Sequence, residues 1–251
     1  MQDVENVYQD AYLRTKCFKG LFIHDISNLF QIISNSIELC ESLLKEDVKT
    51  EDIMEYFQMI VQQLNRGKKL IRNARNISEL DEYEMPLEPV DVFSMLKSAI
   101  DFTRISFPKK EIDIEVISDH GSLYVIANEL LSEVFENIII NSIKYNKNKV
   151  VRVEVIISII DTYYKNYVKM EFKDNGIGID NARKETIFQE THMKSKHSKG
   201  MGIGLSLVAK LTELYNGKIC VENRIKEDYT KGSNFVILIP LEKKKMVLID
   251  D

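Results

Sequence analysis

The stretch Asp174 to Leu205 constrains the fold of this 251-residue chain more than any other. It opens with Asp-Asn-Gly-Ile-Gly-Ile (Asp174 to Ile179) and closes with Gly-Met-Gly-Ile-Gly-Leu (Gly200 to Leu205). The segment between them is polar, lysine-rich and without a period. Glycines grouped in this way remove Cβ atoms where backbone must approach something bulky. The second motif also begins an apolar helical pattern, Ile203, Leu207, Val208, Leu211 and Leu214. A helix N-terminus offers unpaired N–H groups and positive potential, which suit phosphate. Asp174 heads the first motif, where a nucleobase amino group would need an acceptor. Together the two motifs describe a nucleotide cradle with a flexible lid across it. Either motif alone would equally describe turns beside a helix.

A chain of this length holds one or two domains and a sizeable core. Its net charge of −5 argues against nucleic acid or an anionic membrane as the main partner. Cys17, Cys40 and Cys220 are odd in number and lack zinc-site spacing, which fits a reducing, cytoplasmic setting. The longest apolar runs, such as Val155 to Ile160, fall far short of a membrane span, so no membrane contact is expected.

From about Asp3 to Lys45 the pattern is helical, with a seam at Phe22, Ile26, Leu29, Ile33, Ile37, Cys40 and Leu44 in steps of four and three. Thr50, followed by Glu51 and Asp52, is a suitable N-cap for a second helix. That helix repeats the seam at Ile53, Phe57, Ile60, Leu64, Gly67, Ile71 and Ala74. Two such helices form an antiparallel hairpin, and two hairpins form a four-helix bundle, so a homodimer is expected. The alternative is a hairpin packed on its own second domain. His24 lies off the seam, with Asn28 one turn on and Asp25 beside it. A helical histidine is more often a rim residue than a catalyst. Yet at an ordinary pKa of about 6.5, roughly three quarters of such imidazoles are neutral at pH 7 and nucleophilic. Asp25 is placed to hold the proton on the other ring nitrogen.

Pro86 and Pro89 place a linker at residues 84–90. A helix is expected from Val90 to Phe107, then strands at Ile112–Ile117 and Leu123–Ile126. Asn128 to Asn146 is a strong helix with an apolar stripe from Leu130 to Ile143. Asn137 and Asn141, one turn apart, are indifferent helix formers and need a reason. Either their carbonyls meet a hard cation such as Mg²⁺ on phosphates, or they are a buried amide pair bonded to a strand. Lys144 would supply charge to a phosphate. Strands at Val150–Ile160 and Tyr167–Lys173 lead into Asp174. A helix at Ile203–Tyr215 closes at Asn216-Gly217, and strands at Lys218–Glu222 and Asn234–Pro240 follow, with Gly232 and Ser233 in the turn between. The fold class is α+β: an N-terminal hairpin at residues 1–83 forming a dimeric bundle, then an α/β sandwich at 91–242. In the sandwich a mixed sheet packs on three helices, and the tail is 243–251.

In this order the pieces resemble the sensor histidine kinases of two-component systems, with a dimerisation and phosphoacceptor hairpin followed by a Bergerat-type ATP-binding domain. Phe22-Ile-His-Asp-Ile is similar to the family's H box, and Asn137-Ile-Ile-Ile-Asn141-Ser-Ile-Lys-Tyr145 to its N box. The Asp174 and Gly200 motifs resemble its two glycine boxes. The resemblance implies that His24 receives the γ-phosphoryl group of ATP, with Asp25 as base or orienting partner. It implies that Asn137 and Asn141 hold Mg²⁺ and phosphate oxygens, Lys144 a phosphate, and that Tyr145 flanks the adenine. Asp174 would bond the adenine amino group, and Gly176 and Gly178 would keep the pocket wall close. Gly200, Gly202 and Gly204, with Leu205 after them, would hinge the lid and admit phosphate. Asn28 stands where the family orients water for dephosphorylating a response regulator, the implied partner.

The chain departs from that pattern in several places. Ser27, Asn28 and Leu29 replace the usual basic residue and Thr-Pro, and Gln189-Glu-Thr-His192 follows Ile187-Phe188 where a second aromatic pair is usual. The tail KKKMVLIDD is expected to be either the first strand of a receiver domain or an ordinary charged end. A same-fold ATPase using Glu133 or Glu136, a serine kinase, and a non-catalytic docking scaffold are the competing readings.

Overall fold

The computed structural model describes residues 23, 26–45, 50–82, 85–188 and 203–242. His24, Asp25, Gly200, Gly202 and the tail 243–251 lie outside the described residues. The chain divides into two compact units, residues 1–81 with 189–204 and residues 82–188 with 205–251.

In the first unit, helix α1 covers residues 26–43 and α2 covers Thr50–Glu82. A Cβ on Gly67 of α2 would sit 3.5 Å from Leu29 Cδ1 of α1, so the helices meet there in ordinary contact. The expected seam divides in two. Leu29 and Cys40 are buried, together with Ser36, which the seam did not include. Ile37, Leu44, Phe57, Leu64 and Ile71 are exposed instead. They belong to longer exposed rows: Phe30 and Ile37 on α1 with Ile23 before it and Leu44 just after it, each seven residues from the last, and Met54, Phe57, Val61, Leu64 and Ile71 on α2.

In the second unit a five-stranded sheet runs in the order β2-β4-β5-β7-β6. The strands are β2 (Glu111–Ser118), β4 (Val150–Asp161), β5 (Asn166–Asp174), β6 (Lys218–Ile225) and β7 (Asp228–Pro240). β2 and β4 are parallel and the other neighbours antiparallel, so the sheet is mixed, as expected. Alternation builds its inner face: Val151, Val153, Val155 and Ile157 of β4, and Val168, Met170 and Phe172 of β5, are all buried. Helices α3 (Val92–Ser106), α4 (Leu131–Lys144) and α5 (Ile203–Leu214) supply the opposing layer. α4 is the central one, buried on nearly every side, and its Phe135 ring lies 5.7 Å from Phe172 of β5. α5 ends at Asn216, which takes the left-handed conformation (φ 55°), while the Gly217 N–H reaches back to the Thr212 carbonyl at 2.8 Å.

Three elements differ from the sequence expectation. Residues 88–90 are not linker and helix but part of β1 (Glu88–Asp91), which pairs with β3 (Tyr124–Ala127) in a separate two-stranded sheet. α3 starts two residues later than expected because the Asp91 side chain caps it, accepting from Ser94 N at 3.3 Å. Gly232 and Ser233 lie inside the 13-residue β7, not in a turn before it. The turn falls between Ile225 and Asp228, where Glu227 takes φ 68°.

Asn128 and Tyr215 join the starts and ends of helices. The Tyr215 hydroxyl donates to Asn128 Oδ1 at 2.6 Å, and the same oxygen accepts from Leu130 N at 3.1 Å. Tyr215 is 2% exposed, and burial pushes its phenol well above the ordinary range. Tyr215→Phe removes one donor but leaves Asn128 Oδ1 the Leu130 N–H as its other donor. Urea unfolding of this variant is expected to show a loss of about 1 kcal/mol. No helix among the described residues is long and apolar enough to cross a membrane.

Candidate functional site

The first glycine motif folds back onto the end of α4. The Ile177 N–H donates to the Tyr145 carbonyl at 3.0 Å. A Cβ on Gly176 would lie 2.8 Å from that carbonyl oxygen and 2.8 Å from Asp174 Oδ1. Gly178 (φ +69°) is closer still to its neighbour, since a Cβ there would stand 1.6 Å from the Tyr229 carbonyl oxygen of β7. Only glycine meets both demands, a left-handed backbone and contact with a neighbouring strand.

Asp174 forms the floor of this turn and is 4% exposed. Its Oδ1 accepts from Gly176 N at 2.7 Å and from Ser233 N at 3.3 Å. Burial raises its carboxyl above the usual range, and the two N–H groups and the charge of Arg224 pull the other way. Gly232 (φ +111°) allows this arrangement, because a Cβ there would meet the Asp174 carbonyl oxygen at 1.9 Å. Gly232 and Ser233 are therefore part of the site, although the sequence pattern suggested only a turn. The available signal was a Gly-Ser pair leading an apolar strand.

A cluster of amides fixes the same turn from the other side. Asn175 Oδ1 accepts from Asn146 Nδ2 (2.7 Å) and Arg152 N (2.9 Å), and Asn175 Nδ2 donates to the Val150 carbonyl (3.1 Å). Asn148 Nδ2 donates to Asn146 Oδ1 (3.0 Å) and the Asn175 carbonyl (2.5 Å). Beyond the turn, Lys184 Nζ donates to Asn181 Oδ1 at 2.7 Å and also to Asn223 of β6. The Phe188 ring meets Phe235 edge-on at 6.2 Å. The chain leaving the first motif is thus tied to both β6 and β7.

On α4, Asn137 is 5% exposed and its Nδ2 gives one amide hydrogen to the Glu133 carbonyl at 2.8 Å. Asn141 is half-buried, and Lys144 and Tyr145 are exposed. An oxygen-only donor pair suits a hard cation that takes its other ligands from phosphates and water. Among the described residues no three His, Cys, Asp or Glu side chains cluster to hold a metal on their own. Gly204 and Leu205 lie in the first turn of α5. Asn28 is exposed on α1. The structure brings Tyr145, Asp174, Gly176 and Gly178 together within the second unit.

Residues 126–243 match the sequence family described as histidine kinase-, DNA gyrase B-, and HSP90-like ATPase. The chain is 28% identical over 220 residues to cyanobacterial phytochrome B of Nostoc sp., covering 85% of this chain and 26% of that protein. It is 26% identical over 223 residues to the signal transduction histidine-protein kinase ArlS of Staphylococcus aureus, covering 86% and 46%. With the adaptive-response sensory kinase SasA of Synechocystis sp. it shares 22% over 250 residues, covering 96% and 62%. The chain thus spans less than two thirds of each of these relatives. Among solved structures, the Acinetobacter baumannii histidine kinase AdeS superposes with a TM-score of 0.57 at 15% identity, covering 88% of this chain and 98% of that one. The mycobacterial sensor histidine kinase MprB gives 0.53 at 21%, covering 62% and 98%, a likeness of fold.

Proposed function

From a chain that is a homologue of the sensor histidine kinases, with residues 126–243 in the histidine kinase-, DNA gyrase B- and HSP90-like ATPase family, we propose the following reaction. The chain binds ATP with Mg²⁺ and phosphorylates His24. It then passes the phosphoryl group to an aspartate of a response-regulator protein. The observation that carries this reading is Asp174, a carboxylate held 4% exposed beneath a glycine turn, with Oδ1 already engaged by two backbone N–H groups. Such a buried acceptor has the chemistry to read the amino group of adenine.

Asn137 and Asn141 would hold the cation, which supplies charge neutralisation on the phosphates, and Lys144 would meet a phosphate oxygen. Tyr145 would cover the base, while Gly200, Gly202 and Gly204, with Leu205, would border the phosphates. The transfer asks mainly for alignment. A neutral His24 nitrogen gives its lone pair to the γ-phosphorus, the bond from that phosphorus to the bridging oxygen breaks, and ADP leaves with that electron pair. Asp25 holds the proton on the other ring nitrogen. Asn28 would orient water when the phosphorylated partner is hydrolysed.

The hairpin supports a homodimer in this reading. Exposed apolar side chains at seven-residue steps along α1, and at alternating steps of three and four along α2 from Met54 to Leu64 with Ile71 one heptad on, are what a second hairpin would cover. The working location is cytoplasmic, and the domains are taken as 1–83, a linker ending before β1 at Glu88, the sandwich from there to 242, and a tail at 243–251.

Incubation with γ-labelled ATP and Mg²⁺ tests the reading. The expected label on the protein is acid-labile and alkali-stable, and is lost in His24→Gln. Acid-stable label would point instead to a serine kinase. A second reading rests on the burial of Glu133 and Glu136 on α4, each 6% exposed. A same-fold ATPase activating water with one of them would release free phosphate and leave the protein unlabelled.

A further inference from the structure

Behind the first glycine motif, the second unit contains a cavity of about 420 Å³ that the proposed reaction does not use. Its walls come from three places: the turn after α4 (Lys147, Asn148), the motif itself (Gly176 with its neighbours) and the β6–β7 hairpin (Arg224, Lys231). Lys147, Arg224 and Lys231 are three cations from separate elements, and among the described residues no carboxylate lines the cavity with them. Glu222, Glu227 and Asp228 lie on the same hairpin but do not line the cavity, and Asp228, which feels the charge of Lys231, accepts on Oδ1 from the Thr230 N–H and hydroxyl.

We infer that this cavity is a binding site for a small phosphorylated anion, distinct from the site that would hold the nucleotide's own phosphates. Its size falls in the range of small-ligand pockets. Three cations around one concavity, with no carboxylate among the described residues of its wall, favour an anion there, and the field in a cleft is focused, not spread over the surface. A concavity of this volume matches a compact anion better than a long acidic protein tail, most of which would lie outside it. The Asn148 amide hydrogens are already given to Asn146 and Asn175, so the ligand would be held by the ammonium and guanidinium groups. The cavity and Asp174 share the same glycine turn, since Asn175, Gly176 and Ile177 line the cavity.

Pyrophosphate is the probe, titrated calorimetrically into the full chain without divalent metal, at low and at physiological salt. Saturable binding is expected, weakening as salt rises. Lys147→Glu/Arg224→Glu/Lys231→Glu should weaken it by about tenfold or more, whereas Lys144→Glu on α4 should leave it unchanged. The substituted cations are exposed, and a far-UV spectrum and melting curve check that the triple variant folds. If it does not fold, Lys231→Glu and Lys147→Glu are measured singly, and each should weaken binding. Loss of binding in Lys144→Glu but not in the triple variant would place the anion in the nucleotide site and overturn the inference. It would also be overturned by no binding at millimolar pyrophosphate, or by binding of a polyglutamate peptide in place of pyrophosphate. Binding of a fluorescent ATP analogue is followed separately, so a failure of the kinase reading does not count against this site.

Discussion

Gly178→Ala is expected to destabilise the second unit by about 3–5 kcal/mol, a large share of the stability of a domain of this size. The added methyl group would be placed 1.6 Å from the Tyr229 carbonyl oxygen, inside any allowed contact. That oxygen belongs to the main chain of β7 and has no rotamer by which to withdraw. The residue also sits at φ +69°, where a Cβ adds strain of its own. Relief requires the β6–β7 hairpin to move away from the motif, which would draw Ser233 N from Asp174 and Lys184 from Asn223. Gly232→Ala should behave alike, since its Cβ would meet the Asp174 carbonyl oxygen at 1.9 Å. Gly121→Ala is the control: nothing lies within 4 Å of its Cβ, and its effect should stay within about 0.5 kcal/mol. Urea denaturation followed by circular dichroism reads all three. A Gly178→Ala protein with an unshifted midpoint would show that the motif does not press on β7.

Much of this arrangement was legible in the sequence because it rests on local periodicity. The apolar stripe of α4, the alternation of β4 and β5, and the Asn216-Gly217 stop each follow from side chains within a few residues of one another. β1 was missed because Pro86 and Pro89 suggest a linker, yet proline is tolerated in a short two-stranded pairing where its missing N–H is not needed. β7 was cut short because Gly232-Ser233 has the composition of a turn. The real turn uses Glu227 in the left-handed conformation and carries no such signature. Gly232 is glycine for a long-range reason, the passage of the Asp174 backbone, and a partner 58 residues away in sequence leaves no local trace. The hairpin seam shows another limit. A step of seven contains more than one row, and nothing local states that Leu29, Ser36 and Cys40 pack within the chain while Ile23, Phe30, Ile37 and Leu44 face outward.

Asp174→Asn should reduce ATP affinity by about a hundredfold while leaving the fold intact. The amide matches the carboxylate in size and keeps an oxygen for Gly176 N and Ser233 N. What changes is the other arm, where an NH₂ donor would replace the acceptor that the proposed site would offer the adenine amino group, so that two donors would oppose each other in a buried place. Acid titration separates this from a general loss of packing. Burial raises the Asp174 carboxyl, so the folded chain holds that proton to a higher pH than the unfolded chain does. Its contribution to stability is therefore fully present below the ordinary aspartate range and is lost as pH rises through the raised value. Nucleotide binding runs the opposite way: the ionised form is the acceptor, so affinity should fall as pH drops through that same raised value. In Asp174→Asn both dependences at this group should vanish, leaving weak, pH-independent binding of a fluorescent ATP analogue and a flatter stability profile. A variant that binds the analogue as tightly as the parent would remove Asp174 from base recognition, and with it the observation on which the nucleotide assignment stands.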